Sequence, residues 1–236
     1  MTANEDYFDG QIRKQIMLRQ FSESEARSLN AILNRSRNEL NRFLRSRDPT
    51  DFQKSRVGRL LTEIRLTRGA LFDEISENQI RNLERMAVVD IRGEVALINE
   101  SVPFAINFAT PNSDLLASLI RNNPFLGKTT SQWFNNVKQR DAERIYDSIR
   151  LGVSQGETRQ QITRRVVGTR ANRFADGVVD ISRRNATAIV RSSINHVTNL
   201  ARDDFYKRNS DIISVLRRTA TPNLSLIHIS EPTRPY

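Results

Sequence analysis

The chain predicts a mainly α-helical protein: a long helical hairpin, then a smaller helical domain ending in a short, unpaired or edge β-strand. Three observations point there. Apolar residues recur at helical spacing through two long stretches, 7–47 and 51–99. Gly and Pro number only 9 and 7 in 236 residues, few for a turn-rich β fold. A content of 38% apolar and 27% charged residues suits long helices with narrow buried stripes.

The first stretch carries Ile12, Ile16 and Leu18, then Leu29, Ile32, Leu33, Leu40, Phe43 and Leu44. It reads as two helices or one bent one, because Ser22-Glu23-Ser24-Glu25 offers an N-cap with Glu at the third following position. Asp48-Pro49 ends it, since a residue before proline is pushed out of the helical region. The second stretch carries Val57, Leu60, Leu61, Ile64, Leu71, Ile75, Ile80, Leu83, Met86, Val89 and Ile91, interrupted only by Gly58, Gly69 and Gly93. If continuous it is about 70 Å long. Pairing the two antiparallel is the simplest way to bury both stripes, which makes residues 1–100 a hairpin. Residues 101–111, SVPFAINFATP, hold two prolines and form a linker. In residues 112–223 the pattern predicts helices over 112–121, 130–151, 158–167 and 181–208, a turn over 123–127, a loop over 168–177, and a strand at Ile212–Thr219.

Lys and Arg total 37 against 27 Asp and Glu, a net charge of +10, and the excess is unevenly placed. Residues 1–12 carry −3, residues 13–68 carry +8, residues 71–100 carry −4 and residues 157–191 carry +5. Only five of the cations are Lys, so nearly all are guanidinium groups suited to bidentate contact with phosphate or carboxylate. The 13–68 and 71–100 stretches can neutralise each other inside the hairpin. Residues 157–191 have no such counterweight: Arg159, Arg164, Arg165, Arg170, Arg173, Arg183, Arg184 and Arg191 face only Glu157, Asp176 and Asp180. These eight arginines are the candidate nucleic-acid-binding residues, and without a base-reading motif the binding would be to phosphates whatever the sequence. An acidic protein surface would suit the same residues.

Other chemistry finds little to stand on. With no Cys and 2 His, disulfides, thiolate catalysis and Cys- or His-rich metal sites are excluded, and neither a metal nor a cofactor is expected. No apolar run reaches the ~18 residues of a membrane span, and the acidic N-terminus is unlike a secretory signal, so a cytosolic origin is expected. His196 is the one base of the usual catalytic kind upstream of residue 224, and its helical stripe with Ser192 fits a hydrogen-bonded interface histidine better than a catalyst. Gly127-Lys128-Thr129 lacks the first glycine of a phosphate loop, Asn122 standing in its place. The adjacent carboxylates Asp73-Glu74 and Asp203-Asp204 point apart on a helix. The chain is therefore expected not to be an enzyme.

An ordered series of residues from 129 to 221 resembles the phage head morphogenesis family, the minor head proteins similar to the Mu F protein. It comprises Trp133-Phe134; Ile149 to Thr158, IRLGVSQGET; Ile162 to Gly168; Asp176 to Arg184, DGVVDISRR; and Ala188-Ile189-Val190-Arg191 leading into Asn195-His196-Val197. It closes with Ala201-Arg202, Tyr206, Asn209 and Val215 to Thr221, VLRRTAT. The resemblance implies a structural minor head protein of the virion, assembled in the bacterial host cytoplasm. Such a protein assists procapsid assembly and genome packaging or ejection at the portal vertex. The implied partners are the portal protein, other capsid proteins and double-stranded DNA, with no membrane. Family members continue past the Thr-Ala-Thr strand, whereas Leu224–Tyr236 here reads codon for codon, as far as Arg234, like a transposon-end sequencing adapter. The expectation is a C-terminally truncated protein whose residues 224–236 are not native. A cytosolic, sequence-independent nucleic-acid-binding protein is the alternative reading.

Overall fold

The computed structural model describes residues 3–213, with side chains from Tyr7 onward. Among them are six α-helices and no sheet: α1 (Ala3–Ser46), α2 (Val57–Glu100), α3 (Ser113–Asn122), α4 (Thr130–Ser154), α5 (Arg159–Val167) and α6 (Val178–Arg208). The adapter-like segment and residues 214–219 of the expected strand lie outside the described residues. The two strand residues inside them are not extended: the amides of Ile212 and Ile213 both bond the Asn209 carbonyl, closing a turn after α6.

Of the two alternatives for the first stretch, a single helix is the one observed. Ser22-Glu23-Ser24-Glu25 does not cap a new start, because Leu18, Ala26, Leu29 and Leu33 keep one buried stripe running through it. Its acids serve neighbouring helices instead: Glu23 pairs with Arg191 at 3.1 Å and Glu25 accepts from Asn82 at 2.8 Å. Chain reversal after α1 uses a 3₁₀ turn at Pro49–Phe52, capped by the Asp48 carboxylate on the Thr50 amide. α2 returns antiparallel, as 44 unbroken residues and roughly 66 Å. Its three glycines are tolerated, and Gly69 is where the Lys138 side chain of α4 comes close.

The stripes of α1 and α2 are not buried mainly against each other. α2 packs most extensively on α4, and α6 runs antiparallel beside α1, so the hairpin is filled by the later helices. The short helices start where their sequence caps them: Asn112 on the Leu115 amide for α3, and reciprocal capping boxes Thr129–Gln132 for α4 and Thr158–Gln161 for α5. Residues 101–111 are fastened at both ends. Asn99 exchanges two hydrogen bonds with the Ile106 backbone and Asn209 two with the Ala109 backbone, which seats Phe108 against Phe205.

Two apolar cores result, both drawing residues from either side of 101–111. One gathers Phe72, Leu83, Ile91, Phe134, Val190, Ile194 and Phe205, and the other Leu44, Ile64, Ile145, Ile149, Ile162 and Val166. Between them lies a polar layer. Arg68 of α2 holds the Asp141 carboxylate of α4 through two bonds, at 2.7 and 2.8 Å, and donates to Ser36 Oγ of α1 at 2.9 Å. Within reach of the far end of the first core is a second buried set. Lys14 bridges Asp90 and Glu94, Arg202 holds Asp90 through two 2.8 Å bonds, and Tyr7, Gln11 and Tyr206 all donate to Glu94.

The 168–177 loop crosses itself tightly between α5 and α6. Gly168 has φ +84°, and a Cβ there would meet Asp176 Oδ1 and the Phe174 carbonyl at 2.7 Å. The Asp176 carboxylate ties the loop by accepting from the Thr169 amide and hydroxyl and from Asn172, bonds that bring its pKa down to about 2. Gly168→Ala is expected to destabilise the protein by roughly 1–3 kcal/mol through forced backbone strain, measured by urea unfolding.

Candidate nucleic-acid interface

The fold brings the eight sequence-predicted arginines to α5, the loop and the first half of α6, and separates them by what they already hold. Arg165 pairs with Glu157. Arg183 and Arg184 share the buried carboxylate of Asp180, at 2.7 and 3.2 Å, and Arg183 also donates to Asn30 of α1 at 3.0 Å. Arg191 reaches Glu23 of α1. Arg159 donates to the Arg47 carbonyl and so clips α5 to the end of α1. Arg164, Arg170 and Arg173 are exposed and have no ion pair among the described residues.

Sequence reasoning missed the other half of this surface. Arg27, Asn30, Asn34, Arg37, Asn41 and Arg45 recur every three or four residues along α1. They form a polar edge beside α5 and α6. Arg37 stacks its guanidinium on Phe174 of the loop, 3.9 Å from the ring centroid. Burial and then the neighbouring Arg183 lower the pKa of Arg37, with Asp180 opposing. Arg27 and Arg45 are exposed at either end of the edge. The spacing of this stripe was readable. What was not readable is that α6 pairs with α1 from over 150 residues away, as in the Arg183–Asn30 contact.

The basic surface continues to the α1–α2 corner. A cleft of about 360 Å³ there is lined by Arg47, Arg56, Arg59, Asp51, Glu63 and Leu60. Arg47 is paired with Glu63 and Arg56 donates to Thr50, while Arg59 is exposed with no ion pair among the described residues. Chemically, the guanidinium groups with no ion pair among the described residues, Arg59, Arg164, Arg170 and Arg173, are the ones this face offers to anionic oxygens.

His196 lies elsewhere. Its ring packs on Phe125, 5.4 Å between centroids, and Phe125 also packs on Trp133, 6.0 Å between centroids. Burial lowers its pKa, against an opposing hydrogen bond with the Asn123 backbone. The turn holding Lys128 closes through paired Phe125–Lys128 backbone bonds. Of the adjacent carboxylates, Asp73 pairs with Lys138 and Asp204 with Arg208. No group of metal-ligating side chains and no helix long and apolar enough to cross a membrane occurs among the described residues. Comparison with family models, curated proteins and solved structures finds no match to the chain.

Proposed function

We propose that this is a structural minor head protein of a tailed phage, assisting procapsid assembly and genome packaging or ejection at the portal vertex. It would touch DNA through the arginine face of α1, α5, the 168–177 loop and α6. The family assignment is supported by the ordered motif series from Trp133 to Thr221. The observation that carries the DNA contact is the set Arg164, Arg170 and Arg173, exposed and without ion pairs among the described residues, beside the Arg37–Phe174 stack. Arginines that neutralise backbone phosphates release counterions, so such binding is insensitive to base sequence and falls steeply with salt. Packaged genome, which presents every sequence, requires that behaviour.

The test is a salt titration of duplex binding. Arg164→Ala, Arg170→Ala and Arg173→Ala combined are expected to weaken binding equally across unrelated duplexes and to flatten the log–log salt slope by roughly 2–3. Arg183→Ala with Arg184→Ala should do less, because those guanidinium groups already sit on Asp180. Unchanged binding in the triple variant removes DNA from the account. Binding to DNA by a protein that neither enters procapsids nor associates with portal, its gene lying apart from portal and terminase genes, favours the nucleic-acid-binding alternative over the head protein.

A further inference from the structure

The first turns of α1 are apolar on two opposite faces. Tyr7, Lys14 and Leu18 turn inward, whereas Phe8, Ile12 and Ile16, four residues apart, turn outward and are 49, 57 and 52% exposed. A helix with a single buried side has no use for a second apolar stripe, and solvated faces elsewhere on α1 are rich in Arg and Asn. The charge along this segment is polar in the other sense. The residues before Ile12 carry three carboxylates and no cation; Arg13 to Arg19 carry three cations and no carboxylate.

We infer that this stripe is an isologous contact between two copies of the chain, with their α1 helices antiparallel about a two-fold axis at Ile12. In that register Phe8 of each copy lies against Ile16 of the other, and Ile12 against Ile12. Asp9 of each helix then lies beside Arg13 of its mate. A parallel pairing would instead set like charges side by side. The patch is therefore complementary to itself, which is the condition a two-fold interface has to meet. Its area is small, below the ~1,200 Å² of durable complexes, so the association is weak and becomes significant where copies are concentrated. The inference is independent of any role in phage heads or DNA binding.

The absence of Cys from the chain gives a clean test by engineered cross-linking. Under mild oxidation at ~100 µM, full-length Ile12→Cys is expected to form a disulfide-linked dimer. Phe8→Cys and Ile16→Cys should each remain largely monomeric alone and link to one another when mixed. In sedimentation the wild-type mass should rise from 27.1 kDa toward twice that value with concentration, and Ile12→Glu should stay monomeric. Unchanged helical circular dichroism shows that these exposed substitutions leave the fold intact. A wild-type chain that stays monomeric, an Ile12→Cys variant that does not link, or equal self-linking at all three positions overturns the antiparallel pair. The first two are also the results expected if another protein or another part of this chain covers the stripe.

Discussion

Lys14→Met is expected to lower the unfolding free energy by about 3–5 kcal/mol, because it strands the Asp90 and Glu94 carboxylates with too little positive charge. Both side chains are fully buried, and Lys14 touches each of them. In a chain this size the loss should appear as a fall of roughly 6–20 °C in Tm by calorimetry. A change below about 1 kcal/mol would mean that Arg202 and the two tyrosines hold the carboxylates unaided. The same network sets a pH window. Burial pushes the Glu94 carboxyl upward, but Lys14, Tyr206 and Arg202 outweigh it, so the folded pKa lies below the usual 4.5. Its contribution is thus present above pH ~4.5 and is lost as pH falls through the folded value. Tyr206 moves the opposite way, raised by burial and by Glu94, so its contribution is complete below pH ~10 and declines above it. Stability should be highest between these limits and fall outside them, and in Glu94→Gln the acid limb should become shallower.

Arg68→Met should cost a similar amount, about 3–5 kcal/mol, by leaving the Asp141 carboxylate buried with no cation. Asp141→Leu added to Arg68→Met should recover most of the loss, since an apolar pair of comparable volume avoids desolvating both ions. Denaturant unfolding of the two single variants and the double variant measures this coupling directly. If the double variant is no better than Arg68→Met, the layer contributes through Ser36 and packing rather than through charge.

Much of the fold was legible because periodicity reports burial. α3 to α6 begin within three residues of their expected starts, and capping by Asn112, Thr129 and Thr158 explains why. The misreading at Ser22–Glu25 has a specific cause: a local cap signal is worth about 1 kcal/mol, less than the buried stripe that runs through it. The polar layers were overlooked because charge in a helix is ordinarily read as surface. Yet Arg68 stands between Ile64 and Phe72, Asp141 between Val137 and Ile145, and Lys14 between Tyr7 and Leu18, all on core register. A charged residue at the centre of an apolar stripe was the available signal. For the candidate interface, the arginines were countable but their pairing was not. Asp180 claims two of them through helical spacing, whereas Glu23 claims Arg191 from 168 residues away.

That last separation matters while the protein is being made. Among the described helices α1 leaves the ribosome first and α6 last, and residues 23–30 of α1 meet Arg183, Thr187 and Arg191 of α6. At translation rates of about 5–20 residues per second, α1 waits roughly 10–30 s for this neighbour. During that interval Leu29 and Leu33 lack the cover of α6, and the nascent chain is at its most vulnerable to aggregation and to chaperone capture.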